Sequence, residues 1–133
     1  MKDFGDQVAD FTKKYKKRMR ATARLSVEKT AEMANVPTAK GGRMRVDTGF
    51  LRSSIAARVG GMPSGPSSGD GPTAGTPIAV TLLQWEPDEG KVYVGWTANY
   101  ARPREYRDGF MRGAVEKWPQ TVDAVVRQVK ARI

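Results

Sequence analysis

The chain contains neither cysteine nor histidine. Without cysteine there are no disulfides, no thiolate metal sites and no thiol nucleophile. Without histidine the Ser-His and Cys-His relays are excluded as well. A catalyst built from this sequence would have to use carboxylates, lysine, tyrosine or a metal held only by oxygen. Nothing in the sequence approaches the roughly 20 consecutive apolar residues of a membrane span. The opening MKDFGDQVADF is too interrupted by charge to form the apolar core of a secretory signal. A soluble, intracellular protein with no membrane partner is expected.

Acidic residues are also in short supply. Asp and Glu total 14 against 23 Lys and Arg, a formal charge of +9. That excess favours an acidic or polyanionic partner without saying which. The 133 residues fit one domain over 1–133, and the 39% hydrophobic content is too high for wholesale disorder.

From Asp3 to about Asn35, Phe4, Val8, Phe11, Tyr15, Met19, Thr22 and Leu25 recur every three or four residues, which predicts one long helix. Asp3, Asp6 and Asp10 sit in its opening turns, where the helix dipole favours carboxylates, and Val36-Pro37 supplies the stop. A rod of about 45 Å is long for so small a domain. TAKGGRMRVD (38–47) reads as a polar, basic loop. In FLRSSIAARV, alternation predicts a strand, with a helical turn as an alternative entry, Asp47 or Thr48 accepting from nearby backbone N–H groups and Gly49 in a tight turn.

Residues 60–77 hold six Gly, four Pro, three Ser and two Thr in 18 positions, the composition of a mobile inter-strand loop that adds nothing to the core. IAVTLLQWE (78–86) reads as a central strand, PDEG as a turn, and KVYVGW as the second arm of a hairpin. TANYARPREYRDG reads as irregular. From Phe110 the helical period returns, and Pro119 must either kink that helix or start its second half. The expected fold class is α+β: a long N-terminal helix, a small antiparallel sheet with a long loop and a hairpin, and a C-terminal helix packed on the sheet.

Seven of the twelve residues from 13 to 24 are basic: Lys13, Lys14, Lys16, Lys17, Arg18, Arg20 and Arg24. They can form a solvated helix face, dock on an acidic partner, or track phosphates without sequence specificity. No zinc-finger, helix-turn-helix or aromatic RNA-binding pattern accompanies them. Ser53 and Ser54 have no histidine to activate them, and a Ser-Lys pair has no supporting spacing. Asp88 and Glu89 read as a solvated turn. Trp85, Tyr93, Trp96 and Trp118 read as packing residues.

One ordered series carries more. RVDTGFLRSSI is followed by VYVGWTANYA, then a Glu-Tyr pair, then GFMRGAVEKW. It resembles the tail-completion or neck family of long-tailed, siphovirus-type bacteriophages, whose members help join the DNA-filled head to the tail. The matching positions are Thr48, Gly49, Leu51, Arg52, Ser54 and Ile55; Val94 and Gly95; Tyr100 and Ala101; and Phe110. The family commonly continues after the Tyr-Ala step to Glu followed by Gly, whereas here Glu105 precedes Tyr106.

The resemblance implies a non-enzymatic virion protein without cofactors, made in the host cytoplasm. It also implies a homo-oligomeric ring, a hexamer, placed against head-closure or connector proteins and tail-terminator or tail-tube proteins. Which ring of the neck this is, completion, head closure or terminator, stays open. A ring needs two different patches on each copy, and strand edges and the long helix are the expected ones. Arg52, Arg102 and Arg104 are expected to pair with carboxylates across the boundary. The basic helix would face a neighbour or packaged DNA. A non-specific nucleic-acid-binding module is the alternative.

Overall fold

The computed structural model describes residues 3–73 and 75–133. Helix α1 runs over Phe4–Ala34, capped by Asp3, whose side chain accepts from the Asp6 N–H at 2.8 Å. A short 3₁₀ turn at Thr38–Lys40 and helix α2, Phe50–Ser53, lead into strand β1, Ile55–Val59. Helix α3 covers Ile78–Gln84 and strand β2 covers Val92–Trp96. Helices α4, Ala101–Asp108, α5, Phe110–Glu116, and α6, Trp118–Arg132, complete the described chain. The architecture is α+β, as the sequence predicts.

The sheet is smaller than expected. Its two strands pair antiparallel, with Ile55 opposite Trp96 and Val59 opposite Val92. The expected strand at 78–86 is instead α3, so the hairpin does not form and β2 returns to β1 across residues 60–91. An apolar run of this length fits either period. Here the helical one wins because Leu82 and Trp85 bury one face while Val80 and Leu83 stay exposed. Pro77 precedes the first turn with φ of −57°, already near the helical value.

The expected irregular stretch after Trp96 contains α4. Pro103 falls in its first turn, where a missing N–H costs nothing, and Arg104 pairs with Asp108 one turn on. Pro119 opens α6, taking the second of its two predicted roles.

The main core gathers Ala34, Met44, Phe50, Leu51, Ala98, Phe110 and Ala114, with Met33, Trp96 and Tyr100 packed against it. Phe110 meets Trp96 edge-on at 4.9 Å, fixing the C-terminal helical region to the sheet. Helix α6 lies against α1 and runs antiparallel to it: Trp118 shares a groove with Val27, and Ile133 ends beside Arg18. Trp85 and Trp96 take part in packing as expected, but Tyr93 and Trp118 stand exposed. The basic loop also differs from its reading, since Met44 is fully buried beneath a bridge between Pro37 and Met44.

Residues 60–77 form no regular element in their described part, but they lie against the body. The Asn99 N–H donates to Ser67 O at 2.7 Å, and the Thr73 N–H donates to Ser53 Oγ at 2.8 Å. Thr97 Oγ1 donates to Pro66 O at 2.7 Å. A Cβ at Gly69 would stand 2.8 Å from the Phe50 ring. This segment therefore helps cover the core, contrary to its compositional reading.

Candidate functional site

Of the positions carrying the family resemblance, Thr48, Gly49, Leu51, Arg52 and Tyr100 meet at one corner of the molecule, while Val94 and Phe110 line other grooves. Gly49 has φ of +85°, a conformation L side chains rarely adopt, and it turns the chain into α2. Thr48 Oγ1 accepts from the Phe50 N–H at 3.3 Å, while Leu51 is buried in the core. Ser54 is buried, donates to Leu51 O at 2.7 Å and accepts from the Ala98 N–H at 3.3 Å, stitching α2 to the segment after β2. Ile55 opens β1 opposite Trp96, and Gly95 pairs with Ala56. Val94 lies in β2, Ala101 opens α4, Phe110 is core, and Tyr100 stacks tilted against Phe50 at 6.4 Å.

This corner holds an open, polar hollow of about 490 Å³. Thr48, Gly49, Leu51, Arg52, Tyr100 and Arg104 line it together with Arg45 and Asp47. Two of its arginines are already engaged within the chain. Arg104 grips Asp108 through both nitrogens of its fork, at 2.7–3.0 Å. Arg52 Nε donates to Asn35 O at 3.0 Å, and Asn35 Nδ2 donates back to Arg52 O at 3.0 Å. Arg45 is exposed on the rim. Arg102, grouped with these arginines on sequence grounds, sits exposed on α4 and is not among the residues lining the hollow.

Sequence reasoning missed Asn35 and Arg45. Asn35 reads as a helix stop, yet its Oδ1 accepts from Trp96 Nε1 at 3.0 Å, so it ties α1, α2 and β2 together. Arg45 could have been found, because extended residues alternate and its neighbour Met44 points inward.

The basic stretch lies elsewhere and divides in two. Its C-terminal arginines clamp the body. Arg18 donates to Ile133 O at 2.9 and 3.3 Å. Arg24 donates to Trp85 O at 2.6 and 2.9 Å and reaches Glu86 Oε1 at 3.2 Å. Arg20 contacts Asp88 at 3.4 Å and stands 3.0 Å from Glu86 Oε2, close enough for an ion pair but without an aligned hydrogen bond. The hydrogen bond from Arg20, above all, holds the Asp88 carboxyl below the usual carboxylate range; Asp88 in turn holds the Arg20 guanidinium above its ordinary value. Asp88 is thus an ion-pair partner rather than a merely solvated turn residue. Charge reversal at Arg20 would set a carboxylate against Glu86 and Asp88, so it perturbs the body as well as the surface.

Lys13, Lys14, Lys16 and Lys17 remain exposed on α1, where every residue from Phe4 to Lys17 is exposed. This stretch is a helical arm about 21 Å long. From Lys17 to Asn35, beside Arg52, the helix spans about a further 27 Å. The lysines and the arginines of the hollow therefore form two surfaces, not one. Among the described residues no group of three or more Asp, Glu, His or Cys is placed to share a metal ion, and no helix is long and apolar enough to cross a membrane.

No family model, no curated protein and no solved structure matches the chain.

Proposed function

We propose that the chain is a non-enzymatic structural subunit of the neck of a long-tailed bacteriophage, joining the DNA-filled head to the tail. On this reading it acts in the virion by shape and docking, as a homo-oligomeric ring, a hexamer. Its neighbours are head-closure or connector proteins on one side and tail-terminator or tail-tube proteins on the other. The observation that carries the reading is the convergence of Thr48, Gly49, Leu51, Arg52 and Tyr100 on one hollow at the molecular surface. These positions come from two segments about fifty residues apart in the sequence, and their convergence supports treating the resemblance as a single structural unit.

Electron microscopy of the purified protein, alone and with isolated heads and tails, tests the proposal. Sixfold rings and restored head–tail joining are the expected result. Absence of rings at every salt concentration, together with no effect on joining, would overturn it.

Non-specific nucleic-acid binding is favoured by one observation, the four exposed lysines of the arm. DNA titration separates the two readings. Four phosphate contacts give a slope of log affinity on log salt near −3.6, about −0.9 for each contact. The neck reading expects no appreciable binding at physiological salt.

A further inference from the structure

The sheet has an open edge. The Gly60 N–H donates to Lys91 O at 2.8 Å, and the Thr97 N–H donates to Ser54 O at 3.1 Å. Bonded and non-bonded pairs alternate along an antiparallel ladder, so the bonded pairs between these two are Arg58 with Tyr93 and Ala56 with Gly95. Val92, Val94 and Trp96 therefore turn their N–H and C=O groups away from β1. Among the described residues no third strand lies beside them, and no other backbone group pairs with them. Residues 92–96 also hold no charge and no proline, the usual protections of an exposed edge.

The layer beneath is wider than the sheet. Helix α1 packs against α3, which lies along β1, and against α5 on the β2 side, where Phe110 meets Trp96. Neighbouring helices stand about 8–10 Å apart and neighbouring strands about 4.8 Å, so α5 extends about one strand's width past β2. The uncovered strip is a groove of about 230 Å³. The three β2 side chains form its wall, and Ala31 and Ala114 lie buried at its floor. Met111, Val115 and Trp118 form its outer rim, 41%, 55% and 40% exposed.

We infer that an extended segment of another protein fills this strip as a third strand, antiparallel to β2, with apolar residues at alternate positions. A strand offers backbone donors and acceptors at the two-residue pitch of Val92, Val94 and Trp96. A residue paired directly with one of these three has its side chain on the same face of the sheet. Every second side chain of the segment therefore lies over Met111, Val115 and Trp118. Antiparallel pairing is the more stable per residue. A helix laid in the groove would cover the same side chains but leave the edge's N–H and C=O groups without partners.

A second copy does not fit through its own β2. Helix α1 lies under that strand, tied to Trp96 by Asn35, and would occupy the place of α5. The segment is one that carries no helix on its groove-facing side, as a loop or a terminal stretch does. The inference does not rest on the neck reading.

Capped nine-residue peptides test it, with Val at alternate central positions, Thr between them, and Lys at each end to repel the chain's +9 charge elsewhere. Titration calorimetry should give a Kd of about 100 μM, modest because so short a strand buries far less than the roughly 800 Å² per partner of a standard interface. At about 1 mM peptide roughly nine-tenths of the protein is then occupied, so hydrogen exchange at the Val92, Val94 and Trp96 amides should slow about tenfold. Methylating the peptide's backbone nitrogens at the Val positions removes the donors that face β2 and should weaken binding at least about tenfold. Methylation at the Thr positions, whose N–H groups point away, should leave binding unchanged.

Val94→Pro removes an N–H that β1 does not use, and should abolish binding while the circular dichroism stays that of the parent. Val115→Asp, at an exposed position, should weaken binding at least about tenfold by setting a charge beneath apolar side chains. Loss on methylation at Thr in place of Val would overturn the antiparallel arrangement. Equal binding by all three peptides would show that side chains alone hold the occupant, and would overturn the strand. No binding of the unmethylated peptide at about 1 mM, ten times the expected Kd, would overturn the proposal itself.

Discussion

At Gly49, the segment preceding α2 reverses through a left-handed backbone, and a Cβ would stand 3.1 Å from Pro72 Cγ. Gly49→Ala is therefore expected to cost about 1–2 kcal/mol of stability, measured by urea denaturation, because an L side chain strains this conformation. Asp88 gives a residue-scale test in pH. Its folded-state pKa lies below the ordinary carboxylate value, so its contribution is complete above about pH 3.9 and is lost as pH falls through the depressed value. The stability difference between the parent and Asp88→Asn should stay level from about pH 7 to pH 5, then close as acid protonates Asp88. The Arg20 and Asp88 side chains are 35% and 30% exposed, so the difference should be small and should shrink further with added salt.

Among the elements, α1 has the widest role. Its first half is the arm, its arginines hold α3 and the end of α6, and Asn35 ties its last turn to α2 and β2. Arg24 donates to the carbonyl of Trp85, the residue that ends α3, where unsatisfied carbonyls and the helix dipole favour a cation. This contact holds a seven-residue helix too short to persist alone. Two buried hydroxyls on α1, Ser26 Oγ and Thr30 Oγ1, lack hydrogen-bond partners, and the more buried is Ser26, 1% exposed. Ser26→Ala removes that buried hydroxyl and places a better helix former in α1. A gain of about 0.5–1.5 kcal/mol is expected in denaturation experiments. A loss would show that the hydroxyl is satisfied in solution.

For the molecule as a whole, the test concerns residues 60–77. Replacing them with a short Gly-Ser turn would uncover Phe50 and remove the partners of Ser53, Thr97 and Asn99. The shortened chain should fold with a lower midpoint in urea, by an amount comparable with partial exposure of one aromatic core residue, about 1–3 kcal/mol. Unchanged stability would show that these contacts contribute nothing.

The sequence alone determined the long helix, its acidic cap and Pro37 stop, the β1 and β2 segments and the Gly49 turn, while leaving Pro119 two roles between which the structure chose. Each of these depends on neighbours within a few residues: a period, a cap, a fixed φ or a missing N–H. The pairing of β1 with β2, the helical state of 78–84 and the packing of the glycine-rich segment on Phe50 were decided by tertiary structure. So was the division of the basic stretch into clamping arginines and exposed lysines. A run such as IAVTLLQ satisfies both periods until Leu82 and Trp85 find a surface to bury against, and Arg18, Arg20 and Arg24 look like lysines in sequence until carbonyls and carboxylates from distant segments reach them.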